Sequence, residues 1–197
     1  MPRLIHAAIA VFACLASTAH AALPAGTHAP DFTTEASLAG KARSFNLSQA
    51  LQRGTVVLYF YPSAYTNGCN IQAHAFAERY DAFVAAGATV IGVSLDSIGR
   101  LNEFSKDPAY CASKLTVASD ADGQIAQAYA LDVRTAVPGR KDTRGELIDH
   151  GFAERTTFII TPDGKIAATV GGLAPEENVE QALKTVQALH TAAPATR

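Results

Sequence analysis

The stretch Pro62-Ser63-Ala64-Tyr65-Thr66-Asn67-Gly68-Cys69 leaves an apolar run and enters a helical pattern, which places Cys69 in the first turn of a helix. A helix amino terminus offers unpaired N–H groups and a partial positive charge, and both favour the anionic, nucleophilic form of sulfur. Thr66, three residues earlier, is positioned to turn its hydroxyl toward that sulfur and to hold an oxygen of an incoming substrate. Pro62 has no N–H and fixes the wall of the turn. Arg155 opens the run Arg155-Thr156-Thr157-Phe158 at a strand edge, where a permanent cation could reach the same pocket and favour the thiolate further. Together these residue types describe an activated cysteine nucleophile.

Each has a plainer reading. A lone cysteine at a helix start is ordinarily a small buried residue, an isolated arginine a solvated charge, and Thr66 alone a helix cap. His74 reads as a surface or packing histidine, Gln72 as a possible pocket-lining residue, and His28 and His150 carry no assigned role. The stretch from Arg134 to Arg144, with Arg140 and Lys141, lies in a 132–152 insertion that reads as a solvated loop, with rimming the entrance or docking a reductant as the alternative.

The elements that must position these residues alternate between strand and helix. Val56 to Tyr61 is a continuous β-branched and aromatic run, a strand buried on both faces that ends at Pro62. The apolar spacing of Ile71, Ala75, Phe76, Tyr80 and Phe83 predicts a helix over Cys69 to Ala85, stopped by Gly87. A second strand is expected over Thr89 to Leu95, a helix over Ile98 to Lys106 ended by Pro108, a strand over Lys114 to Ala118 and a short helix over Gln124 to Ala130. Thr157–Ile160 and Ile166–Val170 flank the turn Thr161-Pro162-Asp163-Gly164 as a hairpin, and an amphipathic helix runs from Glu176 to about Ala192. The leader up to Pro30 is expected to be loose. This pattern describes an α/β sandwich with a mixed central sheet. Sites in such sheets gather at the carboxyl ends of parallel strands, and the first such end is Tyr61-Pro62.

Composition narrows the function classes. Of 197 residues, 48% are hydrophobic and 17% charged, so the chain has material for a sizeable core. A net charge of -2 with no basic block excludes an electrostatic footprint for nucleic acid or an anionic membrane. Arg3, the apolar stretch Leu4–Ser17 and Ala19-His20-Ala21 form a signal-peptide pattern, so residues 1–21 are expected to be removed on export to the periplasm or beyond. The apolar stretch is shorter than the roughly 20 residues of a spanning helix, so no membrane anchor is expected to remain. Residues 22–197 would then form a single domain carrying two thiols, Cys69 and Cys111. An exported compartment allows such a pair to persist as a disulfide.

Pro62-x-x-x-Thr66-x-x-Cys69 after an apolar strand, with a later Arg155, resembles the peroxiredoxins, over about Ala29 to Val170. It is most similar to the bacterioferritin comigratory protein branch, whose strand end appears here as Tyr59-Phe60-Tyr61-Pro62. The resemblance implies a thioredoxin-like three-layer fold, Cys69 as the peroxidatic cysteine, and Pro62, Thr66 and Arg155 as its activating shell. It implies reduction of H2O2 or organic hydroperoxides through a sulfenic acid, with no metal or organic cofactor. The partners would be the hydroperoxide and a thioredoxin-like or other thiol reductant, and the protein a monomer or weak dimer.

The chain departs from that branch in how the sulfenic acid is resolved. Where many members place a second cysteine this chain has His74, and where others place it there is Ser105. Cys111, just past Asp107-Pro108 in an expected mobile helix-end segment, is the candidate resolving cysteine. A one-cysteine cycle, with Cys111 as a buried hydrophobe, is the alternative. Two other functions compete. A copper-delivery protein of the same fold would use Cys69 with His74 or His150, although such proteins ordinarily pair closely spaced cysteines and Ala73 stands at the relevant position. A disulfide oxidoreductase needs Cys-x-x-Cys, and Cys69 is followed by Asn70-Ile71-Gln72.

Overall fold

In the computed structural model, which describes residues 22–192, the apolar run before Pro62 forms β3 (Thr55–Phe60) in the interior of a seven-stranded sheet. Its side chains alternate between two apolar clusters, as a strand covered on both faces requires. Val57 and Tyr59 point to one face with Phe76, Phe83 and Phe104, and Val56, Leu58 and Phe60 to the other with Leu47, Tyr129 and Phe158.

β4 (Ala88–Ser94) and β5 (Thr116–Ser119) extend the sheet in parallel on one side of β3. On the other side β8 (Thr156–Ile160) runs antiparallel, followed by β9 (Ile166–Gly171). β1 (Thr33–Leu38) joins β5 antiparallel and pairs with the edge strand β2 (Lys41–Asn46), giving the order β2-β1-β5-β4-β3-β8-β9. A two-stranded ribbon of β6 (Val133–Arg134) and β7 (Phe152–Ala153) closes the base of the 132–152 insertion.

α2 (Asn67–Glu78), α3 (Tyr80–Ala85), α4 (Ile98–Lys106) and α6 (Pro175–Ala192) supply the first cluster. α1 (Leu47–Leu51) and α5 (Gln124–Ala128) supply the second. Three layers around a mixed sheet match the expected class.

Two expectations change. The helix after Pro62 begins at Asn67 rather than Cys69 and breaks at Arg79, so it is two helices. The leader is not loose over its described part. Gly26 N–H donates to Ile166 O, Ala29 N–H to Gly164 O and Leu23 N–H to Tyr129 O, which ties residues 22–30 across the β8–β9 hairpin and α5. The signal peptide expected over residues 1–21 lies outside the described residues. Among the described residues, no helix is long and apolar enough to cross a membrane.

β4 carries one glycine the site depends on. A Cβ on Gly92 would come within 2.5 Å of the Tyr59 ring, so its bare backbone makes room for that ring, which stacks on Phe76 at 4.4 Å.

Candidate active site

The turn between β3 and α2 is held by one buried carboxylate. Asp96, at the end of β4, accepts from Ala64 N–H and Ser94 hydroxyl at 2.7 Å each, Ser63 hydroxyl at 3.0 Å and His150 Nε2 at 2.8 Å. Arg100 Nε lies 2.9 Å from it. Burial disfavours the charged carboxylate, but the hydrogen bond and charge of His150, with the Ala64 amide and Ser94 hydroxyl, outweigh it and hold Asp96 below the usual carboxylate range. His150, to which the sequence assigned no role, therefore clamps the turn that carries the nucleophile.

Cys69 is the third residue of α2, buried, and on the wall of a cavity of about 510 Å³. The cavity is lined by Pro62, Thr66, Cys69 and Arg155, the four residues predicted to meet there, and by Arg140 and Lys141. Arg155 sits between β7 and β8, and its Nη2 lies 3.4 Å from Cys69 Sγ. Gly68 leaves the path open, since a Cβ there would stand 3.1 Å from Arg155 Nη2. Thr66 caps α2 through its carbonyl, which accepts from Cys69 N–H at 2.9 Å and Asn70 N–H at 2.8 Å. Its hydroxyl does not bond the sulfur as expected. It donates to Ser63 O at 2.8 Å, the local bond that a threonine three residues past a turn carbonyl makes readily.

The 132–152 segment is largely exposed, as expected of a solvated loop, but it is pinned at several points. Within it Lys141 bridges Leu147, Asp142 is buried and accepts from Arg100 Nη2 at 2.7 Å, and Arg144 stacks on the Tyr65 ring 3.4 Å from its centroid. The loop thus rims the cavity with cations. Tyr65 itself has a positive φ of 59°, uncommon outside glycine.

Cys111 lies in the same apolar cluster as Cys69, fully buried, and both thiols are free. Its segment is wound into turns. Tyr110 N–H and Ala112 N–H both donate to Asp107 O, and Lys114 N–H donates to Cys111 O. Burial, with the charge of Asp107 adding to it, pushes the Cys111 thiol far above its ordinary value. Both sulfurs act on one phenol: burial first, then Cys111 and Cys69, push Tyr59 well above the usual tyrosine value, with Arg155 opposing. That hydroxyl is buried without a hydrogen-bond partner.

Gln72 is fully buried and does not line the cavity; its Oε1 accepts from Arg155 Nη1. The histidines proposed as copper ligands are engaged elsewhere. His74 is exposed, contacting Ala109 O and Glu78, and His150 is bound to Asp96.

Residues 25–169 match the AhpC/TSA family. The chain belongs to that family. The expected resemblance to the peroxiredoxins is borne out at the level of the family. Among its relatives within the family, a chloroplastic 2-cysteine peroxiredoxin of Chattonella marina var. antiqua is 32% identical over 165 residues, covering 83% of this chain and 79% of that protein. Peroxiredoxin Bcp of Escherichia coli (strain K12) is 32% identical over 144 residues, covering 73% and 83%. The crystal structure of Peroxidoxin BcpB from Mycobacterium tuberculosis aligns with a TM-score of 0.70 at 26% identity, over 85% of this chain and 98% of that one. The sheet order and helix placement are accordingly the thioredoxin-like arrangement of this AhpC/TSA family.

Proposed function

We propose that this AhpC/TSA protein is a thiol-dependent peroxidase that reduces H2O2 and organic hydroperoxides at Cys69. The thiolate attacks one peroxide oxygen, the O–O bond breaks, and the departing oxygen leaves as water or alcohol once it takes up a proton. Sulfur is oxidised to the sulfenic acid as the peroxide is reduced. Arg155 and the first-turn N–H groups of α2 stabilise the sulfur anion and the charge that grows on the leaving oxygen. The observation that carries this reading is the 3.4 Å approach of Arg155 Nη2 to Cys69 Sγ inside a cavity wide enough for an organic hydroperoxide.

Resolution runs through Cys111 in this reading. Its sulfur displaces water from the Cys69 sulfenic acid to form a disulfide, which an external dithiol of thioredoxin-like type then reduces. The Cα atoms must come within roughly 7 Å, so the α2 amino terminus and the segment after Asp107 open locally. Ala112 and Ser113 favour that opening, because both hold positive φ, at 52° and 57°. Each non-glycine residue there costs on the order of 1–2 kcal/mol. Export with loss of residues 1–21, and function as a monomer or weak dimer, belong to the same proposal.

Intact mass after one equivalent of H2O2 tests it. Wild type is expected to lose two hydrogens, and Cys111→Ser to gain oxygen instead. Full peroxide consumption by Cys69→Ser overturns the nucleophile, and loss of two hydrogens in Cys111→Ser overturns the resolving role.

A further inference from the structure

The Val170 carbonyl of β9 accepts hydrogen bonds and cannot donate, and that fact propagates to the nucleophile. Asn178, in the first turns of α6, is fully buried and donates its Nδ2 to Val170 O at 3.0 Å. Its Oδ1 is thereby turned away from β9, where it accepts from Thr157 hydroxyl at 2.6 Å and from Gln72 Nε2 at 3.0 Å. Gln72, equally buried, has its amino end committed to Asn178 and can present only its Oε1 to Arg155 Nη1. The other terminal nitrogen of that guanidinium is the one beside Cys69 Sγ.

We propose that Asn178 is a positioning residue for the peroxidase reaction. It fixes which end of the Gln72 amide meets Arg155 and so keeps the guanidinium on the sulfur. A flipped Gln72 would set two N–H groups against two N–H groups, and Arg155 would turn away. Neither Asn178 nor Gln72 lines the cavity, so both act only through Arg155. The inference rests on Cys69 being the nucleophile.

Asn178→Leu removes the orienting group while keeping the volume. The expected result is a fall of about tenfold in the second-order rate with peroxide, the scale of one misplaced hydrogen bond. Asn178→Ser, which leaves room for water, carries the same expectation if the leucine variant does not fold. Adding Gln72→Glu is the decisive step, because a carboxylate accepts from Arg155 whichever way it turns. It should restore the rate without restoring the melting temperature, which a merely structural role for Asn178 does not allow. An unchanged rate in Asn178→Leu and Asn178→Ser, or no rescue by Gln72→Glu, overturns the proposal. Persistent peroxide consumption in Cys69→Ser would instead strike the underlying reading of the site.

Discussion

Thr143 donates both its backbone N–H and its hydroxyl to one acceptor, the carbonyl oxygen of Tyr65, at 2.9 and 2.8 Å. The rimming loop is thereby fastened to the turn that carries the nucleophile, at the residue whose φ of 59° strains it. The Tyr65 ring meets Tyr110, the neighbour of Cys111, at 5.7 Å. Thr143→Val removes one of the two bonds with little change of shape. We expect Cys69–Cys111 disulfide formation to accelerate about fivefold, the equivalent of one hydrogen bond of about 1 kcal/mol. Rapid-quench mass analysis reads the rate, and an unchanged rate would show that loop release does not limit opening.

Gly68→Ala separates catalysis from stability. Gly68 is the second residue of α2 and has no positive φ, so alanine fits its backbone without strain and should leave helix stability equal or somewhat higher. Its methyl group would meet Arg155 Nη2 at 3.1 Å and displace the guanidinium. The expected outcome is a slower peroxide reaction with an equal or higher melting temperature. Arg155→Lys should lose about 10²-fold or more in kcat/KM, because a point charge cannot hold Gln72 and the sulfur together as the planar fork does.

The clamp on the turn gives a pH signature. Burial works against a charged His150, yet its hydrogen bond to Asp96 and the charge of that carboxylate raise it above its ordinary value of 6.5. Its contribution to stability is therefore full below about pH 6.5 and is lost as pH rises through the folded-state value. Asp96 is lowered, so its contribution is present above about pH 3.8 and is lost as pH falls through its folded-state value. His150→Gln should flatten the decline in melting temperature as pH rises above about 6.5. Asp96→Ala, which removes the shared acceptor of Ala64 N–H, the Ser63 and Ser94 hydroxyls and His150, should cost about 3–5 kcal/mol in denaturant unfolding.

Arg140 and Lys141 bring positive charge to the cavity mouth, while Asp142 is paired with Arg100 and Arg144. Replacing both by glutamine should lower the rate with carboxylate-bearing hydroperoxides about tenfold at low salt and leave the rate with an uncharged alkyl hydroperoxide nearly unchanged. Stopped-flow rates across a salt series make the comparison.

What could be read from the chain follows from where its signals reside. β3, β4 and α4 are visible because their side chains alone announce them, as long apolar runs or a one-faced stripe. β2 (Lys41–Asn46) is an edge strand whose first four residues are exposed, so no alternation marks it. The anchoring of residues 22–30 is made largely by backbone atoms, which leave no trace in residue types. Pro62, Cys69 and Arg155 were legible as a constellation, whereas the hydroxyl of Thr66 was captured by the nearer Ser63 carbonyl. The link from Gln72 to Asn178 joins residues 106 apart and depends on how α6 packs against α2. One hint was available: Asn178 stands four residues before Ala182 and eight before Val186, a polar residue in line with a buried stripe.

The docking of α6 has a second meaning. Every strand of the sheet precedes Pro175 in the chain, yet the group that orients Gln72 lies beyond it. On the role assigned to Asn178, a fragment that stops short of α6 would keep the strands but react slowly with peroxide, so the reactivity of the nucleophile reports whether this outer helix is in place.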